Sequence, residues 1–159
     1  MRPIHVLNRQ RRVKIFPDAV TALASFVLDA HNVPTHRSLS ILFTNDATIQ
    51  RYNAQFLNHN HPTDVISFHH ISPNCLGDIV ISAQRAMTYA AHHRISLPNE
   101  LARYVIHGIL HCLGYTDSSP PARRRMFTRQ EILLARWLRR RIPICSPLPL
   151  PRSLSTPHH

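Results

Sequence analysis

Long apolar runs are missing from this sequence. No stretch is long enough to cross a bilayer, and the first ten residues, MRPIHVLNRQ, lack the apolar core of a signal peptide. These absences favour neither a membrane protein nor a secreted one, so we expect a cytoplasmic protein. Cysteine is also scarce, because Cys75, Cys112 and Cys145 stand alone and form no CxxC pair. Such an odd, scattered set argues against a disulfide framework and favours buried or incidental thiols.

Acidic residues and lysine are few, and arginine dominates the charge. The chain carries 19 Lys and Arg against eight Asp and Glu, a formal net charge of +11, and Lys14 is its only lysine. Guanidinium groups hold phosphates in bidentate fashion and stack on bases, so the composition favours RNA or DNA as a partner. A genome biased toward arginine codons would explain arginine over lysine, but it explains the net excess less well.

Apolar periodicity and turn residues indicate a mixture of strands and helices. Strands are predicted at 4–10, 38–44, 65–68 and 77–83. Helices are predicted at 17–33, 46–57, 83–94, 96–114 and 126–141. These elements predict an α+β fold, in which a small mixed β-sheet of about four strands is covered by about five helices. The order of the strands cannot be read from the sequence.

Composition changes near residue 141. Residues 1–141 carry every predicted element and suit a single domain with a real core. Residues 142–159, IPICSPLPLPRSLSTPHH, contain five prolines and little that could pack. We therefore predict a disordered tail from residue 142.

The segment HGILHCLGYTD, from His107 to Asp117, has the spacing of part of a metal site. Residues four apart share one face of a helix, so His107 and His111 can converge on a single ion. Gly114 permits a left-handed exit that turns Asp117 toward the same ion. Three protein ligands would leave a coordination position open for water, which is typical of catalytic zinc. Gly108 stands where the metalloprotease HExxH motif has its glutamate, so peptide hydrolysis is disfavoured.

An isolated HxxxH pair is a weak signal in a chain with 13 histidines. The pairs His69-His70 and His92-His93 are competing ligands, but adjacent histidines on a strand point to opposite faces. At most one residue of such a pair could reach a given ion. We interpret all four as solvated or satisfied side chains.

Several segments, in matching order, resemble motifs of the YbeY family, bacterial metal-dependent endoribonucleases of rRNA maturation and ribosome quality control. HGILHCLGYTD is similar to HGxLHLxGYDH, and PTDVISF (62–68) is similar to PTDVLSFP. LGDIVIS (76–82) resembles the family's GDI strand, and YNAQFL resembles LNxxYR. Met126-Phe127 falls where the family has a methionine before its last helix. The resemblance covers about Ile4 to Arg140.

The resemblance implies a ligand set, with two departures from the family pattern. The family's three histidine positions correspond to His107, His111 and Asp117, so an aspartate replaces the third histidine. If Thr116 is instead an insertion, Ser118 takes the third position. Aspartate would lower the net charge at the ion, so water bound to the ion would be less acidic than it is with three neutral histidine ligands. Leu57 stands where many members carry an arginine that faces the active site.

Substrate contacts are less well marked in this sequence. Arg103 lies one turn before His107 and is a candidate phosphate ligand in place of the family arginine. Ser67 could contact phosphate, although a strand serine packed beside the site is an equal interpretation. No general base is obvious beside the proposed site, so water on the metal is the expected nucleophile.

The resemblance implies a single-strand-specific endoribonuclease, dependent on one Zn²⁺ ion, that acts in small-subunit rRNA maturation. The implied partners are rRNA, the small ribosomal subunit and a ribosomal protein, with no membrane and no dinucleotide cofactor. The alternative is a non-catalytic, basic rRNA-binding assembly factor whose metal is structural. That protein would bind RNA tightly and in a salt-sensitive way without cutting it.

Overall fold

A four-stranded sheet and five helices make up the described part of the chain. The structure is a computed structural model and describes residues 2–56, 64–70 and 72–152. The elements in chain order are β1 (Ile4–Asn8), α1 (Pro17–Ala30), β2 (Ser38–Thr44), α2 (Asp46–Phe56), β3 (Val65–His69), β4 (Cys75–Ser82), α3 (Ala83–His93), α4 (Leu97–Cys112) and α5 (Pro120–Leu138). This architecture confirms the predicted α+β fold with its mixed sheet.

The sheet has the strand order β1-β2-β4-β3. β1 pairs with β2 and β2 with β4 in parallel, whereas β3 pairs with β4 in antiparallel fashion. In the register of the two inner strands, Ile41 lies opposite Ile79, and both side chains are buried. Parallel pairing requires crossover connections, which here are helices. The antiparallel strand β3 forms one edge of the sheet beside β4, and it contacts α4, the helix that carries His107.

Helix α4 packs closely against the sheet because of one glycine. Ser96 caps its N-terminus by accepting a hydrogen bond from the backbone N–H of Asn99, and a proline occupies its first turn. A Cβ atom added at Gly108 would lie 2.5 Å from Cγ2 of Ile79 on β4. The absence of a side chain at Gly108 thus allows the helix to lie against the sheet. Gly114 has a φ of +100° and ends the helical segment, as the sequence predicted.

Helix α5 begins earlier than the apolar pattern predicted. It starts at Pro120 rather than at residue 126, because the Ser119 side chain caps the backbone N–H of Ala122 and prolines open the helix. Its first two turns therefore carry a run of three arginines, 123–125. Ile132 of this helix is 42% exposed.

The segment that follows α5 packs against the domain in part. Ile144 and Cys145 are buried, and Cys145 forms an isolated antiparallel bridge with Ile15. The backbone N–H of Ser146 donates to the carbonyl of Lys14 at 2.9 Å. The sequence predicted disorder from residue 142, whereas two apolar side chains among the prolines join the buried core here. The domain boundary itself stays a prediction.

The three cysteines are free thiols, as their isolation in the sequence predicted. Burial raises the pKa of the Cys112 thiol to about 12 and that of Cys145 to about 12, so both carry their proton at neutral pH. Across residues 2–56, 64–70 and 72–152, no helix combines the length and apolarity needed to span a bilayer.

Candidate active site

Two histidines of α4 face each other at the surface of the helix. The Nε2 atoms of His107 and His111 lie 3.1 Å apart, and the ring centroids lie 4.6 Å apart with the planes nearly perpendicular. Residues four apart on a helix project from the same face, which explains the convergence. The structure therefore brings together the two histidines that the sequence selected.

Each ring is held by a hydrogen bond to its other nitrogen. Nδ1 of His107 lies 2.8 Å from Oε1 of Gln130 on α5, and Nδ1 of His111 lies 3.1 Å from the carbonyl oxygen of Tyr115. A carbonyl oxygen can only accept, so His111 Nδ1 carries a proton and donates it. The amide oxygen Oε1 of Gln130 is also an acceptor, so Nδ1 of His107 donates to it. Both Nε2 atoms then present lone pairs toward the same point.

This arrangement fits a bound cation. Two lone pairs 3.1 Å apart repel each other unless a proton or a metal cation lies between them. Histidines that bind metals in proteins usually donate their second ring N–H to a carbonyl or amide oxygen, which fixes the tautomer and the ring orientation. Gln130 and Tyr115 supply those acceptors here. The donor set of two imidazole nitrogens suits zinc.

The surroundings of His111 favour its neutral form. Burial lowers its pKa below the ordinary value, and the neighbouring His107 lowers it further. The negative charge of Asp117 and the Tyr115 carbonyl oppose this shift in part. Neutral imidazole is the form that coordinates metal.

Asp117 lies in the same cleft as His107. The cleft has a volume of about 350 Å³ and is lined by residues of α3, α4, α5 and the segments before β3 and α5, among them Asp64, Tyr89, Arg103, His107, Asp117 and Phe127. Asp117 is exposed. Within residues 2–56, 64–70 and 72–152, no three His, Cys, Asp or Glu side chains form a ready metal-binding group. Asp117 as third ligand therefore stays a prediction.

Arg103 also lines the cleft, but its guanidinium is held by carboxylates. Its Nε donates to Oε1 of Glu131 at 2.9 Å, and its Nη1 donates to Oε2 of Glu100. Glu100 is only 3% exposed, and burial raises the pKa of its carboxyl while Arg103 opposes that shift. The structure thus assigns Arg103 a stabilising contact that the sequence did not indicate. Its contact with substrate stays a prediction.

The structure describes a contact of Ser67 with α4. The Ser67 hydroxyl donates to the carbonyl oxygen of Gly108 at 2.9 Å, so this strand residue is joined to the helix that carries the histidines. Its contact with substrate stays a prediction. Leu57 lies outside the described residues. His70 and His93, members of the two competing pairs, bind Asp78 and the Tyr89 carbonyl respectively.

The sequence did not indicate the two groups that orient the histidines. Gln130 lies 23 residues after His107 on another helix, and nothing in the sequence pattern marked it. The Tyr115 contact is a backbone carbonyl, whose position depends on the turn at Gly114. Phe127 and Tyr89, exposed aromatic residues of the cleft, were also not predicted as site residues.

Fold and site together define a class: a small α+β domain whose helix α4 carries a histidine pair at the edge of an open cleft that His107 lines. The sequence model of the family described as Endoribonuclease YbeY matches residues 5–138. This chain belongs to the YbeY endoribonuclease family, which confirms the resemblance found in its motifs. Membership supports an RNA-cleaving role in rRNA processing.

Similar proteins cover most of the chain. The endoribonuclease YbeY of Syntrophotalea carbinolica is 34% identical over 142 residues, which span 84% of this chain and 94% of the relative. That of Chloroflexus aurantiacus is 38% identical over 129 residues, spanning 74% and 84% respectively. The solution structure of TM1509 from Thermotoga maritima has a TM-score of 0.63 at 21% identity and covers 86% of this chain and 90% of that one. This structural likeness shows the shared fold.

Replacement of Gln130 tests whether its contact orients His107 for metal binding. Gln130→Leu removes the acceptor for His107 Nδ1, so we expect zinc affinity to fall roughly 10–100-fold. Gln130→Glu keeps an acceptor oxygen at the same position and should keep wild-type affinity or exceed it. Competition with a chromophoric chelator measures both variants. Equal zinc affinity in the Leu and Glu variants would show that the contact does not orient a ligand.

Proposed function

We propose that this chain is a zinc-dependent endoribonuclease that cuts single-stranded RNA during small-subunit rRNA maturation. The observation that carries the proposal is the pair of Nε2 atoms 3.1 Å apart, each ring fixed by a second hydrogen bond, beside a cleft that His107 lines in a YbeY-family chain. The ribosomal small subunit and a ribosomal protein are the proposed partners, which implies a cytoplasmic location.

The proposed metal ligands are His107, His111 and Asp117. Zinc held there would polarise a phosphoryl oxygen and lower the pKa of a water molecule. His107 and His111 are already oriented for this role by Gln130 and Tyr115. Asp117 is exposed in the same cleft, so its side chain can rotate toward the pair.

Charged groups of the chain around the pair would position RNA. Arg123 is an exposed cation on the cleft wall, where an RNA phosphate would complement it. Asp64, another lining residue, accepts a hydrogen bond from the backbone N–H of Val65 at 3.1 Å.

Exposed aromatic rings in the cleft support a preference for single strands. Phe127 is 60% exposed and Tyr89 is 42% exposed, and both line the cleft with His107. The Tyr89 ring is held by stacking on His93, with centroids 3.9 Å apart. Aromatic side chains of this kind stack unpaired bases, which a duplex does not offer.

A non-catalytic rRNA-binding assembly factor with a structural metal is the second candidate. The observation in its favour is that Asp117 forms no ready metal-binding group with the two histidines in the described part of the chain. Such a protein would bind RNA without cutting it, and chelation would unfold it.

Replacement of Phe127 tests the proposed mode of RNA recognition. Phe127→Ala removes one stacking surface, which is worth about 1–3 kcal/mol per base, so KM for a single-stranded fragment should rise at least about fivefold. The histidine pair is untouched, so kcat should change much less. Steady-state cleavage of a labelled rRNA fragment, and of the same fragment annealed to its complement, provides the measurement.

Phe127→Tyr is the matched control, because it keeps the ring and should keep the wild-type KM. Cutting of the duplex at the rate of the single strand would contradict the proposed specificity. An unchanged KM in Phe127→Ala would show that this ring does not bind a base.

A further inference from the structure

The cleft lined by His107 offers little net positive charge. Its lining includes the acids Asp64, Glu100 and Asp117 beside the two arginines Arg103 and Arg123. Arg103 is already bound to two carboxylates. The excess of positive charge that would attract a polyanion must therefore act from another surface of the molecule.

A second groove lies across α5 from the cleft. It has a volume of about 540 Å³, and its wall includes Arg124, Arg125 and Arg129, together with Tyr115 and Ile132. No acid is found among those lining residues that belong to the described part of the chain. We call this surface the arginine groove and define it by its three arginines. Arg125 and Arg129 are four residues apart and so lie one turn apart on one face of α5, and Arg124 lines the groove beside them.

Contacts with α1 hold part of the arginine groove in place. Nε of Arg129 donates to Nε2 of His31 at 3.2 Å, and Nδ1 of His31 donates to the carbonyl of Val27 at 2.8 Å. The His31 ring packs edge-on against Tyr115, with centroids 5.9 Å apart. Arg129 and Tyr115 are thereby fixed, whereas Arg124 and Arg125 are exposed to solvent.

The arginine groove and the histidine pair share one short segment of chain. Tyr115 lines the groove with its side chain, while its carbonyl oxygen accepts the hydrogen bond from His111. A strand that leaves the cleft over this segment therefore reaches the groove. Ile132 and Tyr115 offer only a small apolar surface beside three guanidinium groups, so charge favours a polyanion over a protein.

We propose that the arginine groove binds phosphates of the single-stranded RNA that extends beyond the cleft. The proposal rests on RNA as the substrate of the cleft. Guanidinium groups bind phosphate oxygens in bidentate fashion, and Arg129 is held ready for this contact by His31. The groove would supply affinity that the acidic cleft lacks, so that RNA length decides how tightly the strand is held.

The test compares RNA binding by two double variants of the full chain. Arg124→Gln with Arg125→Gln removes two charges from the groove, whereas Arg136→Gln with Arg139→Gln removes two exposed charges from the far end of the same helix. Affinity is measured for single strands of about 4 and about 16 nucleotides, a range that matches the site sizes of single-strand binders. Chelator is present so that no RNA is cut.

We expect the groove variant to bind the long strand about 10–30-fold more weakly at about 0.1 M salt. The slope of log affinity against log salt should shrink by about 1.4, as two lost phosphate contacts on a single strand require. Binding of the short strand should be unchanged, and the control variant should resemble the wild type for both lengths. Circular dichroism and the melting temperature check that both variants are folded. If the double variant does not fold, Arg124→Gln and Arg125→Gln are measured singly, and each should show about half of the change in log affinity and in salt slope.

Equal affinity of the groove and control variants for the long strand would overturn the proposal. If RNA affinity does not depend on the groove arginines while polyglutamate binds to the groove, the proposal is overturned in favour of an acidic protein partner. If the wild type binds neither length, both this proposal and the proposed function fail. If the wild type binds the long strand through the groove but cuts no RNA once zinc is restored, the groove proposal stands and the proposed nuclease activity fails alone.

Discussion

His111→Ala is expected to bind no zinc and to cut single-stranded RNA at least about a thousandfold more slowly than the wild type. One of two facing imidazole nitrogens is removed, and the chemistry that the metal would supply is worth several kcal/mol in the transition state. The fold should persist, because the main structural loss is one hydrogen bond to the Tyr115 carbonyl, worth about 1 kcal/mol. Metal analysis, circular dichroism and single-turnover cleavage measure these effects on one preparation.

His92→Ala is the matched control for that variant. His92 is exposed on α3 and belongs to one of the histidine pairs that compete with the proposed ligands in the sequence. It should keep the zinc content and the cleavage rate of the wild type. Wild-type zinc content and activity in His111→Ala would show that the histidine pair is not the metal site.

Arg103→Met is expected to destabilise the protein by about 2–4 kcal/mol. The substitution leaves the buried carboxylate of Glu100 without its main partner, and breaking a buried ion pair from one side strands a charge in the interior. Arg103 is partly accessible, so water relieves some of that cost. Urea unfolding at neutral pH measures the free energy of unfolding.

The double variant Glu100→Gln with Arg103→Met distinguishes this structural role from a role in substrate binding. The neutral amide removes the stranded charge, so about half or more of the lost stability should return. If stability recovers while KM for RNA stays high, Arg103 also contacts substrate. If Arg103→Met is as stable as the wild type, the ion pair does not stabilise this fold.

The local structure of α4 follows from its sequence, whereas its environment does not. Ser96, a proline in the first turn and Gly114 mark both ends of the helix, since caps and breakers act within a few residues. The strand order β1-β2-β4-β3 depends on contacts between distant segments and has no local signal. The start of α5 was predicted late because its first turn lacks the apolar spacing on which the prediction relied.

The candidate site also combines features that the local sequence predicts with features that depend on contacts between distant segments. The helical repeat alone places His107 and His111 on one face, so their convergence could be predicted. Gln130 reaches His107 only because α4 and α5 pack together, and no spacing in the sequence encodes that contact. The contact between Arg103 and Glu131 could not be predicted either, since Glu131 lies on another helix.

The most direct test of the account is the zinc content of the purified wild-type chain and of Asp117→Ala, measured with cleavage of a single-stranded rRNA fragment by the same samples. The account predicts one zinc ion per wild-type chain, weaker zinc binding in the variant and a parallel fall in cleavage. Zinc binding that is indifferent to Asp117, with no RNA cleavage by either protein, would contradict a catalytic metal site and favour an RNA-binding assembly factor.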